Sequence, residues 1–230
     1  GAPLSFLDHH LRCGNSLIGT TLADLQGATA DSLWRINYNS MYPAISKVLE
    51  LSGLTDVTSA EVHRSATLYR EARDLLSGFR FVLDLLVARH FGHEDTTEFL
   101  TGAHYLDMTS REPFLASLKP SDRTLVESVQ TLAVARAFFH WEIEFPEVFL
   151  DLGTNKARGE KITGRPADKA GFDAVVGNPP YVRQESLKED KAYFKATFSP
   201  VFDSTNDLYV YFMQREVEVL REGGRIGMIV

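Results

Sequence analysis

The sequence predicts an α/β fold organised around a parallel strand-helix-strand unit, with a large block of helix set into it. Three observations carry that prediction. An apolar run, Phe172-Asp173-Ala174-Val175-Val176-Gly177, has the length and branched content of a short buried strand and is cut off by Asn178-Pro179-Pro180-Tyr181. An amphipathic stretch from Asp207 to Arg221 runs into Gly223-Gly224, a common helical stop, and a second strand-like run begins near Arg225. Between these strands and the amino-terminal segment, apolar residues recur at helical spacing.

Taken in chain order, Leu11-Arg12-Cys13-Gly14-Asn15-Ser16-Leu17-Ile18-Gly19 is an apolar-flanked segment in which Cys13 is expected to pack in a strand. Leu68, Leu75, Leu76, Phe79, Val82, Leu83, Leu86 and Val87 predict a long helix from about Ala60 to Arg89. Leu125, Val129, Leu132 and Ala133 predict a second one, with Ser121-Asp122 as its cap. Apolar stripes of this kind form cores. In the segment Phe139 to Phe149, His140 and Trp141 sit among Phe138, Phe139 and Phe145, and brace the sheet with Glu142, Glu144 and Glu147 on the wet side. The expected organisation is a core segment over residues 1–22, a mainly helical insertion over 23–138, and a second core segment over 139–230. Internal repeats and low-complexity tracts are absent from the sequence.

The end of the apolar run carries the chemistry. Two prolines cannot continue a ladder, and the first biases Asn178 toward extended dihedrals, so the Asn side chain is presented at a strand's carboxyl end. In open α/β sheets that rim binds ligands. Pro180 has no N–H, leaving two acceptors without a competing donor: the Asn178 side-chain oxygen and the Pro179 carbonyl. A planar exocyclic amine has two N–H donors that match them, and the Tyr181 ring can lie against the heterocycle, a contact of about 1–3 kcal/mol per base. The amino nitrogen of adenine is a poor nucleophile because its lone pair is delocalised. Two accepted hydrogen bonds favour a more tetrahedral nitrogen and free that pair for in-line attack on a methyl sulfonium.

At these residues the chain resembles a known family. Asn178-Pro179-Pro180-Tyr181 is similar to motif IV of amino-methyltransferases that use S-adenosylmethionine. With the 11–19 segment, Phe139-His140-Trp141-Glu142-Ile143-Glu144-Phe145-Pro146-Glu147-Val148-Phe149, and Asp207-Leu208-Tyr209 leading to Gly223-Gly224-Arg225-Ile226-Gly227, it resembles the large N6-adenine DNA methyltransferases of phage defence: the type IIG restriction-modification enzymes related to Eco57I and the BREX and DISARM methylases. The resemblance implies part of a class I, Rossmann-like methyltransferase sheet. It implies that Asn178, Pro179, Pro180 and Tyr181 hold a flipped adenine of double-stranded DNA. It also implies that Asn15, Asp207 and Tyr209 lie near the cofactor, S-adenosylmethionine. The family's Gly-rich first motif belongs upstream of Pro3 and a target-recognition domain belongs downstream. The expectation is therefore an incomplete catalytic unit, inactive alone, that works with other domains of the same polypeptide.

Composition bounds the rest. A chain of 230 residues with 44% apolar content can bury about 70% of its unfolded surface. One cysteine excludes an internal disulfide and suits a reducing cytoplasm. No apolar stretch has transmembrane length and no signal peptide opens the sequence, so the expected location is cytoplasmic. A net charge of −7 is not that of a general nucleic-acid binder, so any DNA contact must be confined to a patch. Lys156, Arg158, Lys161 and Arg165, with Lys169, form a locally basic, glycine-containing stretch just before the Asn178 strand. It reads either as a phosphate contact or as a solvated loop. Lys188, Lys191 and Lys195 alternate with acids and read as a solvent-facing helix. His9-His10 lack further ligands at metal spacing, so no metal is expected. Two further readings stay open: a methyltransferase of RNA or protein glutamine, and a DNA-binding module without catalysis.

Overall fold

The computed structural model describes residues 11–30, 36–52, 54, 58–102, 106–155, 159–166, 168–180, 182, 187 and 189–229. His9, His10, Lys156, Arg158, Tyr181 and Lys188 lie outside them. Eleven α-helices occur among the described residues: α1 Leu22–Ala28, α2 Tyr42–Ser52, α3 Ser59–Leu75, α4 Ser77–Ala88, α5 Asp95–Thr101, α6 Arg111–Ser117, α7 Pro120–Arg136, α8 Trp141–Glu144, α9 Pro146–Phe149, α10 Lys191–Thr197 and α11 Leu208–Val219. The strands are β1 Leu150–Asn155, β2 Gly159–Gly164, β3 Phe172–Gly177 and β4 Leu220–Met228. β1 and β2 form an antiparallel hairpin, whereas β3 and β4 pair in parallel. The fold is thus mixed helix and small sheet, with the predicted parallel pair on either side of α10 and α11.

The helical block is centred on α4, which is buried on nearly every side, as expected of a helix apolar all round. Phe79, Leu83 and Leu86 join one core with α2, α5, α6 and α7. Val87 faces a second core made by Leu17, Ile18, Phe138, Tyr193, Phe194, Phe198 and Tyr211. In that second core the rings of Phe194 and Tyr211 stack 4.6 Å apart, 8° from parallel. Such a pair adds about 0.5–1.5 kcal/mol beyond burial. One helix therefore joins the block to the segments that surround Asn178.

Several elements differ from the sequence prediction, each for a local physical reason. The helix expected from Ala60 to Arg89 is two helices. Thr58 closes a capping box with Glu61 at the start of α3, and the chain breaks at Leu76, just before Gly78 packs on the Met108 backbone. Helix α7 begins at Pro120, whose fixed φ suits the first helical position, so Ser121 and Asp122 occupy its first turn rather than its cap. Cys13 is exposed and not in a strand. Of the basic stretch, Lys161 lies on β2, which pairs with β1 so that Leu150 stands opposite Gly164 and Asn155 opposite Gly159.

The β3–β4 pair also departs from expectation. Helix α11 stops at Val219 and β4 starts at Leu220, so the Gly223-Gly224 pair lies inside the strand. There it makes a bulge between the Phe172–Leu220 and Ala174–Arg225 pairings, with Gly223 at φ 75°. Arg221 crosses the bulge to Asp173, Nε to Oδ1 at 2.6 Å. β3 is not a buried strand, because Val176 is 83% exposed and Asp173 and Ala174 are exposed as well. Finally, the three glutamates of the 139–149 segment are not on a wet surface. Glu144 is buried, held by Arg80 at 2.6 Å and Arg12 at 3.7 Å. Glu142 accepts the Leu22 N–H, and Glu147 is half-buried.

Candidate functional site

β3 ends where the prolines forbid further pairing. The Gly177 carbonyl still accepts a ladder bond from Ile229 N at 3.0 Å, and the next residue is Asn178. Asn178 and Pro180 are exposed while Pro179 is buried, the alternation an extended segment imposes. A cleft of about 190 Å³ opens beside them. Its walls come from distant parts of the chain: Ser16, Trp141, Val175, Phe212, Arg215 and Glu216. The cleft is lined mainly by apolar groups, with Ser16, Asn178, Arg215 and Glu216 among them.

Trp141 sets one wall. Its Nε1–H donates to the Ser16 carbonyl at 3.0 Å, and its ring meets Phe172 of β3 edge-on at 5.7 Å. The bracing role expected of Trp141 is therefore seen. His140 does something else. It is fully buried, accepts Thr20 N–H on Nδ1 at 3.2 Å and bonds Asp84 of α4 through Nε2 at 2.9 Å. This assignment of the ring protons follows from the backbone donor. His140 thus ties the 15–20 segment to the helical block.

Arg215 and Glu216 form the other wall, and sequence reasoning missed both. Arg215 is 8% exposed: Nη1 pairs with Glu218 at 2.9 Å, Nη2 reaches the Leu17 carbonyl at 3.4 Å, and the guanidinium lies 4.9 Å from the Phe198 ring centre. Its Nε has no partner among the described residues. Glu216 is 7% exposed, and its Oε2 is also without a partner. Burial pushes the Glu216 carboxyl above the ordinary carboxylate range. A signal for Arg215 did exist: with Leu208, Tyr211, Phe212 and Val219 it falls on the apolar stripe of α11, where a cation needs a reason.

The other predicted residues divide. Leu208 N–H donates to the Val182 carbonyl at 3.2 Å, which brings the exposed Asp207 and Tyr209 to the segment that follows Asn178-Tyr181. Asn15 is brought to the same side through Ser16, but its Oδ1 accepts Leu17 N–H at 3.2 Å in a local turn. Arg165 stands elsewhere. Its N–H bonds the Phe149 carbonyl and Gly171 N–H bonds that of Val148, at the amino end of β3. Six strand residues, about 20 Å, separate that end from Asn178. Lys191 and Lys195 lie on α10, which buries Tyr193 and Phe194, with Lys195 on its exposed side. A second cavity of about 420 Å³ shares Trp141, Arg215 and Val219 with the cleft and extends to Thr20, His90 and Tyr193. Among the described residues no three His, Cys, Asp or Glu side chains gather as a metal site, and no helix is long and apolar enough to cross a membrane.

Comparison with known proteins adds to this geometry. Residues 73–230 match the family described as Eco57I restriction-modification methylase. A segment is 49% identical over 59 residues to the type II methyltransferase M.XhoI of Xanthomonas vasicola, covering 25% of this chain and 11% of that protein. Similar segments are 48% identical over 60 residues to type II methyltransferase M.BstVI of Geobacillus stearothermophilus, covering 25% and 10%, and 39% identical over 59 residues to M.PaeR7I of Pseudomonas aeruginosa, covering 25% and 10%. The matched stretch thus spans about a tenth of the length of these curated relatives. No solved structure matches the chain.

Proposed function

Because the chain belongs to the Eco57I restriction-modification methylase family, we propose that it carries the target-amine site of an enzyme that methylates the N6 amino group of adenine in DNA, within a restriction-modification or phage-defence protein. The observation that carries this reading is Asn178-Pro179-Pro180 at the carboxyl end of a strand in a parallel pair, beside an apolar cleft. The Asn178 side-chain oxygen and the Pro179 carbonyl accept the two amine protons, and Tyr181 stacks on the base. This grip orients the nitrogen lone pair and makes it a better nucleophile, so catalysis rests on alignment and fixed acceptors. The target base is taken out of the duplex to reach the cleft, at a few kcal/mol.

The reading of S-adenosylmethionine as the cofactor is supported by Asp207 and Tyr209, which are exposed beside the segment that follows the amine acceptors. They would hold the cofactor together with Asn15. When bound, S-adenosylmethionine supplies an electrophilic methyl group. On this reading the catalytic unit is completed by other segments of the same polypeptide, acts in the cytoplasm, and touches DNA phosphates through Lys156, Arg158, Lys161 and Arg165.

The test uses the complete natural polypeptide with S-adenosylmethionine and mixed-sequence DNA, digested to nucleosides and analysed by mass spectrometry. N6-methyladenine is expected, and Asn178→Ala is expected to abolish it. Cofactor binding with unmodified DNA over a broad sequence set overturns the DNA assignment in favour of RNA or protein glutamine. Binding of DNA without cofactor binding favours a non-catalytic module.

A further inference from the structure

Asp84 is an acid among the buried residues of α4. It is 4% exposed, between Leu83 and Leu85, and its Oδ1 bonds His140 Nε2 at 2.9 Å. His140 has no exposure at all, and its Nδ1 accepts the Thr20 N–H at 3.2 Å. Because Thr20 supplies a donor, Nδ1 carries no proton and Nε2–H donates to Asp84. A buried polar link of this kind is a poor source of stability, since well-packed apolar residues in its place are commonly neutral or stabilising. What it provides is orientation. With both ring nitrogens bonded, the His140 ring is held in one position and one tautomer.

The next residue is Trp141, the first of α8. His140 is the cap of that helix, and its carbonyl accepts the Ile143 and Glu144 N–H groups, each at 2.9 Å. Side chain and backbone of His140 together fix where α8 starts, and so where Trp141 stands. Trp141 borders both the cleft beside Asn178 and the second cavity of about 420 Å³. Its ring marks the limit between them: displaced, it would open the cleft into the larger space, and a flat ring beside Asn178 would lose that wall. Sites of this kind tolerate little displacement, a shift of about 1 Å being worth up to about a hundredfold. We propose that Asp84 is a positioning residue for the cleft, holding Trp141 through His140 where the wall closes on a planar base. The inference rests on the reading of Asn178 and Pro179 as the grip for the adenine amine. It gives the helical insertion, which supplies none of the residues lining that cleft, a part in ligand binding.

The test is calorimetric binding of adenosine to the complete natural polypeptide, without cofactor, with a urea midpoint measured for each variant. Asp84→Leu keeps a branched side chain and a good helix former but removes the acceptor. It is expected to weaken adenosine binding by the folded protein about tenfold. Asp84→Asn keeps an oxygen acceptor for Nε2–H and is expected to bind like the wild type. A merely structural role would lower the urea midpoint and leave the affinity of the folded protein alone. In a Trp141→Phe background, Asp84→Leu should cost little further affinity, because the effect passes through Trp141. His140→Asn cuts the same link from the other side, since its shorter amide reaches the Thr20 N–H but not Asp84. It is expected to match Asp84→Leu and carries the test should that variant not fold. The proposal is overturned if either variant, folded, binds adenosine as tightly as the wild type, if Asp84→Asn loses as much as Asp84→Leu, or if the full loss persists in the Trp141→Phe background. Asn178→Ala separates the two ideas. If it binds adenosine like the wild type, the amine grip itself is wrong. If it binds weakly while Asp84→Leu does not, the grip stands and the role of Asp84 falls. Absence of measurable adenosine binding to the wild type overturns both.

Discussion

Gly19 and Phe139 are in backbone contact: a Cβ on Gly19 would stand 1.8 Å from the Phe139 carbonyl oxygen, and Phe139 N–H donates to the Ile18 carbonyl at 2.8 Å. Two segments more than a hundred residues apart in the chain therefore meet at the level of the main chain, just behind Trp141 and the cleft. The contact needs glycine for space, since its obstacle is backbone that cannot swing aside. Gly19→Ala should destabilise the fold by about 1–3 kcal/mol or more, read as a lower urea midpoint with unchanged slope.

Tyr193 reinforces the same junction. Its hydroxyl accepts Gly19 N–H at 2.9 Å and shares its proton between the carbonyls of Leu17 at 2.9 Å and Gly19 at 2.5 Å, all in a buried setting. Tyr193→Phe keeps the ring packing and strands these backbone groups. A loss of about 1–3 kcal/mol is expected in chemical denaturation, and an unchanged stability would show that the backbone finds other partners.

Glu144 is the anion between two cations, Arg80 and Arg12, with side chains only 8% exposed for Glu144 and 7% for Arg12. Removing one member of a buried set leaves the others uncompensated. Glu144→Ala should lower stability by about 3–5 kcal/mol, whereas Lys47→Ala, which removes an exposed pair with Glu71, should change it by less than about 1 kcal/mol.

The stability of the chain should carry a pH signature from Glu216, whose carboxyl burial holds above its ordinary value of 4.5. A raised carboxylate value means that the folded state takes up the proton more readily than the unfolded chain. The destabilisation is therefore present at neutral pH and is relieved as pH falls through the folded value toward 4.5. Glu216→Gln should raise the melting temperature at pH 7, with an advantage that shrinks on acidification. An advantage independent of pH would show that the gain comes from packing instead.

The basic stretch is open to a salt test. If it contacts phosphate, each charge removed by Lys161→Ala or Arg165→Ala should reduce the slope of log affinity against log salt by about 0.9 for duplex DNA. Equal slopes for wild type and variants would place the DNA path elsewhere, in keeping with the position of Arg165 at the amino end of β3.

Much of the site was legible because its determinants are local. Proline at positions 179 and 180 must end a ladder whatever surrounds it, so the stop at Gly177 and the presentation of Asn178 could be read from four letters. The apolar periodicity of residues 60–88 likewise announced helix. It did not announce the break at Leu76, because Gly78 is needed there only by the Met108 backbone, which is not a neighbour in sequence. Glutamates 142, 144 and 147 looked like a wet edge, since a carboxylate with no cation nearby in the chain belongs in water. Arg12 and Arg80, brought in from far away, reversed that for Glu144.

By itself, then, the sequence determined where backbone dihedrals are forced: the strand end at Asn178 and the helical stripes. Only the tertiary structure decided which charges are buried, that Trp141 and Arg215 wall the cleft beside Asn178, and that Gly223-Gly224 is a bulge within β4 rather than a helix stop. The physical reason is range. Dihedral limits and capping bonds act within a few residues, whereas burial and charge compensation depend on which distant surfaces meet, and no short stretch of sequence records that.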